Sequence, residues 1–105
     1  MEEKIKKILH DIGISRTTIG YKFWLDIIEK AYTAEPKGEI RKLKIYDYYE
    51  YLTLKHNWTK YGVERGLRYS IENKQEEIQD YFIYYDEKIT NKRFLILCVE
   101  KLNER

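Results

Sequence analysis

The stretch from Tyr46 to Asn73, YDYYEYLTLKHNWTKYGVERGLRYSIEN, decides how the chain is read. Around its start, Ile45, Tyr48, Tyr49 and Leu52 recur at helical spacing, with His56 one turn further on, which predicts a helix over Leu43–Lys55. His56, Asn57 and Trp58 interrupt that period. Thr59 is of a type that caps helix N-termini, and beyond it Val63, Leu67, Ser70 and Ile71 form a second inward stripe. Two helices joined by so short a turn have the span of a helix-turn-helix.

At about 100° per residue, Tyr61, Arg65, Arg68 and Glu72 fall within about 60° of arc, opposite Val63, Leu67 and Ser70. One face of the second helix is therefore buried and the other offered. Arginine gives two parallel hydrogen bonds to guanine O6 and N7, and a neighbouring Glu64 is able to accept from cytosine N4. The expected base-reading set is Tyr61, Glu64, Arg65 and Arg68. Lys55, Thr59, Lys60, Lys92 and Arg93 are the expected contacts to the DNA backbone, with Lys42 and Lys44 nearby in the same class. A plainer reading exists for the same residues, because Glu64 with Arg68 and Arg65 with Glu72 also suit a solvated helix carrying its own charge pairs. Local charge is segregated: residues 59–75 sum to +2 and residues 76–89 to −4.

Outward from this centre the pattern stays helical. Glu2–Ile12 spaces Ile5, Ile8, Leu9 and Ile12 as one face and meets Gly13 as a stop. Gly20–Tyr32 does the same with Phe23, Trp24, Ile27, Ile28 and Ala31, and the only proline, Pro36, marks a surface connection with Gly38. Thr90–Leu102 aligns Phe94, Leu95, Cys98, Val99 and Leu102. Glu76–Tyr85 is ambiguous, since Tyr81 to Tyr85 favour a strand while Ile78, Phe82 and Tyr85 suit a helix. The expectation is an all-α, compact bundle of five to six helices around a central helix-turn-helix. A hairpin of Tyr81–Tyr85 with Arg93–Ile96, giving a winged helix, is the alternative.

Composition bounds the function. With 105 residues the chain holds one domain, and 43% apolar against 36% charged residues closes one core. Lys and Arg number 20 against 18 for Asp and Glu, so no general polycation exists. The longest apolar run, Phe94–Val99, is far below a membrane span, and the lone Cys98 reads as a buried small hydrophobe in a reducing cytoplasm. Two histidines, one cysteine and two serines stand in no catalytic or zinc-ligating spacing, and no glycine-rich phosphate loop is present. No enzyme, cofactor, metal or small-molecule substrate is expected. The wealth of Lys, Ile, Tyr and Asn suggests an AT-rich bacterial or phage genome. His10 and His56 read as surface or cap residues, and the eleven tyrosines as packing before base stacking.

Several strings, in order, resemble the C-terminal DNA-binding domain of the stage-zero sporulation response regulators of endospore-forming bacteria. Ile8-Leu9-His10-Asp11-Ile12-Gly13 is similar to that family's opening helix and glycine stop, followed by Ile19-Gly20-Tyr21 and Leu25. Asn57, Thr59, Val63-Glu64-Arg65 and Arg68 fall at its turn and recognition helix, and Thr90-Asn91, Phe94, Val99 and Lys101-Leu102 resemble its last helix. The resemblance implies six helices, favours a helix for Glu76–Tyr85, and makes Glu64 and Arg65 base readers with Arg68 a basic neighbour. Two positions depart from it: Gly62 stands where the family has a further base-reading arginine, and Gly66 where it has a small alanine. Each glycine costs about 1 kcal/mol of helix propensity and weakens the start of this helix.

The family's regulators also carry a phosphoacceptor receiver, whereas this sequence opens on the first effector helix. The expectation is a single domain over 1–105 without a receiver: a stand-alone, cytoplasmic transcriptional regulator of double-stranded DNA, a monomer or weak homodimer that binds cooperatively as a dimer. The alternative is an interaction module that titrates another regulator without reading DNA, a reading that the loss at Gly62 supports.

Overall fold

The computed structural model describes residues 1–104, and their helices follow from where apolar side chains recur and where the caps fall. Six α-helices run in the order α1 (Glu2–Ile12), α2 (Ile19–Ala34), α3 (Ile45–His56), α4 (Lys60–Glu72), α5 (Gln75–Phe82) and α6 (Asn91–Leu102), with one 3-10 turn at Ile40–Lys42. Three of the helices open on a threonine. Thr18, Thr59 and Thr90 each accept a backbone N–H three residues on, from Tyr21, Gly62 and Arg93, which satisfies a donor that a helix start otherwise leaves unpaired. Gly13 closes α1 at φ 97°, where a side chain would be strained, and Ile14 N–H returns to the Leu9 carbonyl. Asn57 closes α3 in the same left-handed conformation at φ 56°.

The core lies around α2, which packs on α1, α3, α4 and α6. Phe23, Trp24, Ile27, Ile28 and Ala31 have no exposed surface, and Trp24 meets Phe94 of α6 edge-on at 4.6 Å between centroids. Helices α2 and α4 cross in close contact at Gly20. A Cβ at Gly20 would stand 2.6 Å from the Gly66 carbonyl oxygen and 2.6 Å from Ser70 Cβ, so only glycine fits there. Beside it the Trp24 indole N–H donates to Ser70 Oγ at 2.6 Å, and Ser70 donates on to the Leu67 carbonyl. Ser70, expected on the inward stripe, is thus at the edge of the core as a hydrogen-bonding residue.

The ambiguous segment is helical as far as Phe82, and Ile78 is fully buried. Arg93–Ile96 lies inside α6, and no strand occurs among the described residues, which removes the winged-helix arrangement. The link after α5 is pinned by Gln75, whose amide accepts from Ile89 N–H at 2.7 Å and donates to the Ile89 carbonyl at 3.0 Å. No helix among the described residues is long and apolar enough to cross a membrane.

Candidate nucleic-acid interface

Helix α4 carries the site because its two faces are chemically separate. Val63, Leu67 and Ile71 point into the core, each almost wholly buried. Burying three such side chains contributes about 1.5–3 kcal/mol apiece, which outweighs the propensity lost at Gly62 and Gly66, and α4 runs unbroken from Lys60. Gly62 also has the ring of the turn residue Trp58 against it. A Cβ there would lie 3.0 Å from the Trp58 ring, which packs over this position and stands edge-on to Phe23 at 5.5 Å.

On the outward face Arg65 stands between two tyrosines, its Cζ 5.2 Å from the Tyr61 ring centroid and 4.9 Å from that of Tyr69. Arg68 sits on the Tyr69 ring at 5.0 Å, donates to Glu64 at 2.7 Å and lies 3.7 Å from Glu72. Glu72 therefore pairs with Arg68 and not with Arg65. Among the described residues Arg65, Lys60, Lys92 and Arg93 enter no ion pair, so their charge is free for a polyanion.

The remaining expected contacts divide. Thr59 and Lys60 lie at the N-terminus of α4, where the helix dipole also favours an anion. Lys92 lines one cleft with Tyr46, Glu64 and Arg68, a cleft of about 360 Å³ between α3, α4 and the start of α6. Asn91 holds that cleft together: buried, it donates to the Tyr49 hydroxyl at 3.1 Å and to the Glu64 carbonyl at 3.3 Å. Arg93 does not line that cleft and lies over the Tyr84 ring at 5.4 Å. Lys55 is held elsewhere, 3.2 Å from Asp26 of α2, and this carboxylate raises the lysine's pKa. The other Asp26 oxygen lies 2.6 Å from His56 Nε2, so His56 is a half-buried tie between α2 and α3 as well as the last residue of its helix.

The model of one family, described as sporulation initiation factor Spo0A C terminal, matches residues 5–102. The chain belongs to the Spo0A C-terminal family. This is a family of DNA-binding effector domains, not of enzymes. No curated protein matches the chain at a significant level. For a Spo0A C-terminal domain, the notable features of this chain are the glycine at position 62, filled by the Trp58 ring, and the tyrosines that flank Arg65. Tyr69 was absent from the sequence expectation. Its signal was the spacing Tyr61, Arg65, Tyr69, one residue per turn on one face.

Proposed function

We propose that this chain is a sequence-specific, double-stranded-DNA-binding transcriptional regulator that lays α4 in the major groove. The observation that carries the reading is Arg65, an arginine without a carboxylate partner on the face opposite the Val63, Leu67 and Ile71 stripe. Arg65 is the principal base reader, with Tyr61 beside it. Glu64 and Arg68 enter as a pair, because Arg68 reaches a base only by exchanging its bond to Glu64 for one to DNA. Thr59, Lys60 and Lys92 take phosphates. Lys55 reaches the backbone only on leaving Asp26, and Arg93 acts at the margin.

The 105-residue chain suffices for binding as a stand-alone effector, and two copies occupy paired half-sites cooperatively, since one module of this size makes few base contacts. The test is selection of bound sequences from a random duplex pool, followed by titration of the winner at several salt concentrations. Enrichment of a two-part site, with affinity falling as salt rises and about tenfold lost in Arg65→Ala, is expected. A pool that enriches nothing would favour the alternative, a module that binds another regulator.

A further inference from the structure

Tyr61 and Tyr69 are 65% and 50% exposed, unusual for rings with a core available, and what they cover is a guanidinium. The Arg65 guanidinium carbon lies 5.2 Å from the Tyr61 ring centroid and 4.9 Å from that of Tyr69, so the group is bracketed by two rings and by no carboxylate. Tyr69 also separates Arg65 from Arg68, and Glu72 pairs with the latter. We propose that Tyr61 and Tyr69 are positioning and specificity residues: they hold Arg65 edge-on for a guanine and read the methyl groups of thymines in the flanking base pairs. The inference rests on the DNA-binding reading above and adds to it a defined sequence preference.

The geometry follows from how arginine meets guanine. Bidentate bonding to O6 and N7 places the guanidinium in the plane of the base pair, so its two faces look along the helix axis towards the neighbouring pairs. Base pairs are spaced about 3.4 Å apart. Tyr61 and Tyr69, one helical turn to either side of Arg65 and within 5.2 and 4.9 Å of its guanidinium, would then stand beside the flanking pairs, whose apolar feature in the major groove is the thymine 5-methyl. An arginine already clamped loses less side-chain freedom on binding.

The experiment uses the whole chain and the duplex selected from a random pool, together with the same duplex carrying deoxyuridine for each thymine beside the contacted guanine, which removes only the methyl. Affinities are measured for the native chain, Arg65→Ala, Tyr61→Ala, Tyr69→Ala, Tyr69→Phe and the double variant Arg65→Ala with Tyr69→Ala. Because both rings are exposed, thermal melts of the single variants should match the native chain. Each tyrosine-to-alanine change is expected to weaken specific binding about threefold to thirtyfold, Tyr69→Phe to retain it, and the double variant to lose clearly less than the product of the two single losses. Deoxyuridine is expected to weaken the native chain and not the matching alanine variant. Additive effects of Arg65→Ala and Tyr69→Ala, or deoxyuridine without effect on a duplex that still needs Arg65, would overturn the inference while leaving the DNA reading intact. A specific duplex that is indifferent to Arg65→Ala overturns both.

Discussion

Gly20 is the residue on which the placement of α4 depends. Helical periodicity gives no reason for it, although it stands in the Ile19-Gly20-Tyr21 string of the family resemblance; the reason is a contact with residues 46 and 50 positions away. Gly20→Ala drives a Cβ to 2.6 Å from backbone and Ser70 atoms, an overpacking that costs about 1–3 kcal/mol, measurable by urea unfolding. A variant as stable as the native chain would contradict the crossing described for α2 and α4. Gly66→Ala is the contrast: its Cβ would meet the Phe23 ring at 3.0 Å, and the gain of about 1 kcal/mol in helix propensity offsets part of that crowding. Side-chain placements were legible where spacing alone decides them, as for Arg65 opposite Val63 and Leu67. They were not legible where a partner lies far along the chain, as for His56 and Lys55 with Asp26 or Asn91 with Tyr49.

Elements were legible wherever an apolar stripe, a cap and a stop agree, which is why α1, α2, α4 and α6 stand close to where their patterns place them. In the α5 segment local propensity and tertiary context disagree. Tyr81 to Tyr85 favour a strand, yet a strand needs a partner and none is supplied, while a helix buries Ile78 and packs Phe82 towards Phe94 at 6.1 Å. The recognition helix itself starts on one hydroxyl, since Thr59 Oγ1 accepts from Gly62 N–H at 2.9 Å ahead of two glycines. Thr59→Ala should cost about 1 kcal/mol of stability in denaturant titration, and Thr59→Ser should restore most of it. Equal loss in both variants would show that packing of the methyl group, not the cap, matters here.

For the molecule as a whole, tyrosine hydroxyls buried between helices set an alkaline limit. Tyr48 of α3 donates to Glu35, the residue that ends α2. Burial, then this bond and the negative charge of Glu35, push the Tyr48 phenol well above its ordinary value, and burial raises Tyr49 likewise. A phenol with a raised folded pKa is deprotonated first in the unfolded chain. Its contribution to stability is therefore complete below about pH 10 and is lost as pH rises beyond that point. Unfolding free energy should fall more steeply above pH 10 in the native chain than in Tyr48→Phe. Parallel curves would place the alkaline limit in other groups.

The ring stacks and ion pairs of Arg65 and Arg68 all lie within α4, while that helix is anchored through its opposite side. The outward side chains thus form a cassette on a fixed mount. In a duplicated gene, substitutions at positions 61, 65, 68 and 69 would be free to drift and be selected for a new target while the fold beneath them was held unchanged. Divergence of recognition among relatives built this way would be concentrated in one turn-by-turn stripe of a single helix.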